Sequence, residues 1–196
     1  QGSAVWNRFK VGYDVEFIKG VTLSVGEWED NNGSPVITIA DVTEDGYNKA
    51  DGIRKVVTDK KVNYLQKSDL LFNWRNGSKN LVGKTALFNM EGDYIFASFL
   101  LGVRPNTKKI LSEFLWILLN QYRVKGRYMQ FMRQNVNGLF NREELKDVEI
   151  PCPPLDVQKK IVDEIFNEIR LVHQNKQLIS IFEEKIKNKL SEVWGK

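Results

Sequence analysis

The stretch NREELKDVEIPCPPLDVQKKIVDEI, Asn141 to Ile165, changes character at its centre. Before Pro151 it reads as a capped helical turn that runs into a short strand. After Pro154 a helical period begins and does not stop. Proline can neither donate to a β-ladder nor continue a helix interior, so Pro151-Cys152-Pro153-Pro154 ends one body and starts another. A β-rich body precedes this hinge, and a single helix follows it.

The following segment, Leu155 to Trp194, contains no proline or glycine and is longer than an ordinary globular helix. Ile165, Val172, Ile179, Ile186 and Val193 recur every seven residues, and a second seam runs through Val162, Ile169, Lys176, Glu183 and Leu190. This spacing predicts a coiled-coil-type helix whose second seam is polar in the middle. The alternative is an amphipathic helix folded back on its own domain.

Upstream, from about Tyr13 to Val103, alternating segments such as VITIADV (Val36 to Val42) and DYIFASFLLGV (Asp93 to Val103) are separated by the turn signals EDG, NNGS and NGS. Each reads as a strand. Ser112 to Met132 carries apolar residues at helical spacing behind Ser112 as N-cap candidate, with Glu113 in the first turn. The fold class expected is α+β: a β-rich domain with packed helices, followed by one long helix. The expected divisions are 1–12 as tag remnant (Gln1-Gly2-Ser3) and lead-in, 13–153 as the β-rich domain and 154–196 as the helix, with a natural chain that extends further upstream.

The chain has 196 residues, with 29 Lys+Arg against 25 Asp+Glu, a net charge of +4. That is a mild lean toward polyanions, too small to define a function. One cysteine, Cys152, excludes an intrachain disulfide, and with the single histidine, His173, it excludes Cys/His zinc clusters. The cytoplasm is the expected compartment. The apolar run FLWILL (Phe114 to Leu119) is too short to span a membrane. No Ser-His-Asp, Cys-His or metal constellation is present, so catalytic and metal-binding residues are both expected to be none.

LFNWRNGSKNLVGKT (Leu71 to Thr85) resembles a phosphate-binding loop but fails its rule, since Gly77 lies one residue too far from Gly83-Lys84-Thr85. The sequence after Thr85 is also too β-branched and aromatic to be the helix that would hold a phosphate. The stretch instead mixes basic, amide and aromatic side chains as DNA readers do: Trp74, Arg75, Asn76, Ser78, Lys79 and Lys84. A second such cluster is Arg123, Lys125, Arg127, Arg133, Gln134 and Asn135. Arg75 is the expected base reader and Lys79 the expected phosphate contact.

LFNREELKDVEIPCPPLDVQKKIVDEI (Leu139 to Ile165) resembles the junction in specificity subunits of type I restriction-modification systems, where a recognition domain ends in L-x-x-I-x-I-P-x-P-P-L-x-E-Q-x-x-I-V. Upstream, KSDLLFNWRNGSKNLVGKTALF resembles the family's G-D-I-L-x-x-x-R-G-S…G-K segment, and VITIADVTEDG and YIFASFLLGVRP resemble its flanking strands. Ser68 stands where the family has glycine, Asp156-Val157 replaces a more acidic pair, and one recognition domain and one helix stand where the family has two of each. The chain thus looks like half a specificity subunit, or a module of a larger one.

The resemblance implies that the domain reads one half of a bipartite double-stranded DNA target, while the helix sets the spacing and docks methyltransferase subunits. S-adenosylmethionine, ATP and Mg would belong to the methyltransferase and restriction subunits, and this chain would need no cofactor. The GKT would then lie in a strand–turn–strand unit, with Gly77 permitting the turn and Gly83 a close backbone approach. Two identical half-subunits would place their domains at opposite ends of an antiparallel helix pair. Facing layers would be Val162–Val193, Ile165–Leu190, Ile169–Ile186, Val172–Glu183 and Lys176–Ile179. A parallel pair would instead set Lys176 against Lys176. The rival readings are a specificity module of a fused restriction-methyltransferase and a coiled-coil interaction module that binds no DNA.

Overall fold

The computed structural model describes residues 6–29, 32–43, 45–46, 48–49, 51–75, 81–129, 140 and 142–195. The chain divides into two compact units, Gln1–Gln158 and Lys159–Lys196. In chain order the strands are β1 (Arg8–Lys10), β2 (Val15–Lys19), β3 (Trp28–Glu29), β4 (Ser34–Ile37), β5 (Lys55–Val56), β6 (Leu70–Asn73), β7 (Thr85–Leu87), β8 (Ile95–Phe96), β9 (Leu100–Pro105) and β10 (Glu149–Pro151). The helices are α1 (Ser112–Val124), α2 (Arg142–Lys146) and α3 (Leu155–Trp194).

Three sheets make up the first unit. An antiparallel sheet runs β2–β9–β6–β7, and a second runs β3–β5–β4–β8 with a parallel β4–β8 pair. β1 pairs antiparallel with β10, Arg8 opposite Pro151, and so joins the start of the described chain to the proline hinge. The core lies where Ile18, Leu71, Ala86 and Leu100 of the first sheet meet Ile37 and Phe96 of the second, with Phe88 beside them. Burying each large apolar side chain contributes about 1.5–3 kcal/mol.

The structure divides two segments that alternation presents as single strands. VITIADV leaves the sheet at Thr38, because the Thr38 N–H and Oγ1 both donate to Asp41 Oδ2, at 2.8 and 2.6 Å, and so cap a single 3-10 turn over Ile39–Asp41. DYIFASFLLGV turns at Ser98-Phe99, so that β8 pairs with β4 while β9 pairs with β2 and β6.

α1 buries Phe114, Leu115, Trp116, Ile117 and Leu119. Ser112 does not cap it. Leu111 is the N-cap residue, and its N–H donates to Oε1 of Gln158 at 2.9 Å, 47 residues further along the chain. The fully buried Gln158 also donates through Nε2 to the carbonyls of Lys109 (2.9 Å) and Pro153 (2.8 Å). A long-range amide therefore satisfies a helix N-terminus that lacks a local cap. α1 ends at Val124, before Gly126 at φ +65; of the rest of the segment read as helix up to Met132, residues 125–126 form a turn and 127–129 are helical again, while 130–132 lie outside the described residues.

β6 and β7 form an antiparallel pair, the two strands expected around the GKT segment, with Phe72 opposite Thr85. Gly83 has φ +86 and lies flat against the Tyr128 ring, where an added Cβ would sit 2.2 Å from Tyr128 Cδ2. The Thr85 N–H donates to Asn120 Oδ1, and the Thr85 carbonyl accepts from Asn120 Nδ2 and Trp116 Nε1. The backbone of Thr85 is thus tied to α1, with no N–H left to cradle a phosphate. Gly77, expected to permit the turn, lies outside the described residues.

Ser68 has φ +72, the left-handed region that costs an L-residue about 1–2 kcal/mol. This accounts for the glycine that the resembling pattern carries before Asp69. Ser68→Gly is expected to raise the stability by about 1 kcal/mol, a few degrees in a thermal melt. A fall in melting temperature would contradict the assignment.

Candidate nucleic-acid interface

Strand register assembles the site. In the antiparallel sheet Lys19 pairs with Leu101 and Asn73 with Leu100, so the end of β2, the start of β9 and the end of β6 converge at one edge. The residues just beyond these ends, Trp74, Arg75, Ser98 and Phe99, line a cleft of about 540 Å³ together with Phe17, Lys19 and Arg142. Trp74 is fixed there by a hydrogen bond from Nε1 to the Ser98 carbonyl at 2.9 Å. The Arg75 guanidinium lies 5.4 Å from the centre of the Phe99 ring, and that of Arg142 lies 5.4 Å from the centre of Phe17. Phe99 remains 45% exposed. Both pairs are within the range of cation–π attraction, which holds the arginines over aromatic faces with N–H groups available to an anion.

A second, more polar cavity of about 440 Å³ shares Lys19, Gly20 and Thr22 with the first and continues to Lys60, Lys61 and Asn63. No carboxylate lines either cavity among the described residues. Lys60 Nζ lies 2.6 Å from Glu27 Oε2. Hydrogen bonds from Lys60 first, then from Ser24 and Thr58, hold the Glu27 carboxyl far below the usual carboxylate range. Lys61 is exposed.

Trp74 and Arg75, read from the sequence as DNA-facing, both reach this cleft. Lys84 does not, since it is only 8% exposed. The reason is positional: it directly precedes the β7 edge that α1 covers. Arg123, Lys125 and Arg127 stand at the end of α1, away from the cleft lining, where Arg127 lies 4.9 Å from the centre of the Tyr122 ring. Asn76, Ser78, Lys79, Arg133, Gln134 and Asn135 lie outside the described residues. Phe17, Lys19, Phe99 and Arg142 were missed by sequence reading because they come from three segments far apart in the chain: β2, the turn before β9, and α2. The one local signal was an aromatic residue, Phe99, at a turn.

In the second unit, the helix residues from Leu171 to Trp194 are exposed apart from the half-buried His173. Val172, Ile179, Ile186, Leu190 and Val193 of the two seams lie open. Leu171 and Leu178, one position before seam residues, and Phe182, three after Ile179, are also exposed and widen the apolar stripe. Val162 differs from these in being buried, at 6% exposure. No helix among the described residues is long and apolar enough to cross a membrane.

A family model of the type I restriction modification DNA specificity domain matches residues 5–183, and the chain belongs to that family. Its members are the non-catalytic specificity component of type I restriction-modification systems. The chain is similar to a putative type I restriction enzyme MjaX specificity subunit of Methanocaldococcus jannaschii, 27% identical over 162 residues, which cover 81% of this chain and 33% of that one. Among solved structures it is similar to the HsdS subunit from Thermoanaerobacter tengcongensis (TM-score 0.66, 20% identity, 89% of this chain and 40% of that one). It also resembles a chain from a structure concerned with complex assembly and conformational transition of the type I R-M system (TM-score 0.70, 20% identity, 96% and 44%). A third similar structure is the type I restriction-modification S subunit from M. genitalium (TM-score 0.62, 15% identity, 90% and 42%). The chain therefore spans between a third and a half of the length of these relatives.

Proposed function

We propose that this chain reads one half of a split double-stranded DNA target and docks methyltransferase subunits, so that it supplies specificity and its partners supply chemistry. The observation that carries this reading is the cleft at the sheet edge, where Arg75 and Arg142 sit over aromatic rings in a lining free of carboxylates among the described residues. A guanidinium held in this way can fork onto guanine or onto a phosphate, and the sequence of the target is read by whichever side chains reach base edges. S-adenosylmethionine, ATP and Mg would bind to the methyltransferase and restriction subunits.

The open stripe of the helix supports pairing with a second such helix, antiparallel about a centre between Gln177 and Leu178. This pairing arises in a homodimer or within a larger natural chain. Lys176 then comes about one turn from Glu183 of the other helix, between apolar layers toward both ends. Such a pair sets two recognition domains at a fixed separation.

Arg75→Ala is expected to cost about 1–3 kcal/mol of binding on the cognate site and little on other sequences, whereas loss of a pure phosphate contact weakens all sequences alike. The measurement is duplex affinity of the assembled complex on cognate and scrambled sites. Unchanged affinity on both would remove Arg75 from the reading surface.

A further inference from the structure

The Phe17–Phe99 cleft combines three features that flat groove-facing surfaces of a protein lack: depth, aromatic walls and cations at the rim. We propose that it holds one unstacked nucleotide of the bound nucleic acid, its base against the aromatic walls and its phosphate at Arg142 or Arg75, with the adjoining backbone following Lys19 toward Lys61. The proposal rests on the DNA-recognition reading above and adds a site to it.

Depth decides between a nucleotide and a passing phosphate. A phosphodiester needs only surface cations, but a volume of about 540 Å³ accommodates a base as well. Aromatic side chains such as Phe17, Trp74 and Phe99 stack on any base, because every base has a π-face. Trp74 has committed its indole N–H to the Ser98 carbonyl, which fixes the ring without using its face. Phe99 presents a half-exposed ring at the mouth of the cleft.

Charge supplies the other half of the argument. Lys19, Arg75 and Arg142 line the cleft, and Lys60 and Lys61 the cavity joined to it. Because Lys60 is bound to Glu27, the lining cations with no carboxylate partner among the described residues run from Arg142 and Arg75 through Lys19 to Lys61. That line of positive charge is continuous from one cavity into the next, as a tracked sugar-phosphate backbone requires. The occupant that matches both cavities is a nucleic acid strand with one base turned out of its stack.

The test uses the full chain with whatever subunits co-purify, and three probes. These are a paired DNA duplex, the same duplex carrying a one-nucleotide 2-aminopurine bulge, and free deoxythymidine monophosphate. The bulged duplex is expected to bind roughly tenfold tighter than the paired one, since its base is already unstacked, and its fluorescence should be quenched on binding. Phe99→Ala should remove that preference and the quenching, so that bulged and paired duplexes bind alike, and Phe99→Trp should retain both. Paired-duplex binding with no preference for the bulge, or a preference indifferent to Phe99, would overturn the nucleotide pocket and leave the DNA-recognition reading standing. Equal competition by the free mononucleotide would show a small-molecule site instead. Failure of both duplexes to bind would overturn both readings.

Discussion

Gly83→Ala is expected to destabilise the recognition unit by about 2–5 kcal/mol, combining about 1–2 for a left-handed L-residue with about 1–3 for overpacking. The new methyl would lie 2.2 Å from Cδ2 and 2.3 Å from Cε2 of Tyr128. That ring cannot give way. It packs against Phe72 and Phe140 with centroids 5.5 and 4.8 Å away, and its hydroxyl donates to the Leu119 carbonyl at 3.0 Å. Burial raises the Tyr128 pKa well above its ordinary value, as befits a phenol sealed from water. A whole domain is stable by only about 5–15 kcal/mol, so this one methyl removes a large fraction of the total. Urea unfolding measures it, and a loss below about 1 kcal/mol would show that Tyr128 does not hold the position described.

The second large effect belongs to Arg104. Its Nε and Nη2 each donate at 2.8 Å to the two carboxylate oxygens of Asp69, while Glu16 lies 3.6 Å from Nη1. The Asp69 side chain is 1% exposed, so the pair is a bidentate clamp whose acidic half has no water to fall back on. Donating hydrogen bonds to Asp69 raises the Arg104 pKa further above an already high value. Arg104→Met keeps most of the apolar stem but strands a buried carboxylate, and breaking a buried pair in this way costs about 3–5 kcal/mol. The double substitution Asp69→Asn with Arg104→Met should cost less than the sum of the two single changes. Strict additivity in denaturant unfolding would contradict the clamp.

Asp69 also shows which parts of the molecule were legible in the sequence. The strand after it lies in the stretch read as strand and turn, and the proline hinge and the long helix Leu155–Trp194 follow from local residue chemistry, whereas the Gly83 approach was implied by the family resemblance. Where the sequence misled, a local capping pattern or a non-local partner overrode a clean alternation. Thr38 and Asp41 fold a β-branched run into a 3-10 turn, and sheet pairing splits the run around Ser98-Phe99. Ser112 looked like the cap of α1, yet the acceptor comes from Gln158. The candidate site divides in the same way. Trp74 and Arg75 were visible because basic and aromatic residues adjoin in one loop, but Phe17, Lys19 and Phe99 join them only through the β2–β9–β6 register, and Arg142 only by lying over Phe17. In the helix, the exposed apolar residues include Leu171, Leu178 and Phe182, which a count of strict seven-residue spacing passes over.

A split-target reader is tested most directly by mapping methylated bases across the genome of cells that carry the intact system, beside cells lacking this gene. The account predicts a methylated motif made of two short half-sites separated by a fixed gap of unread base pairs, and its disappearance when the gene is deleted. A continuous motif with no gap, or a methylation pattern unchanged by the deletion, would contradict it.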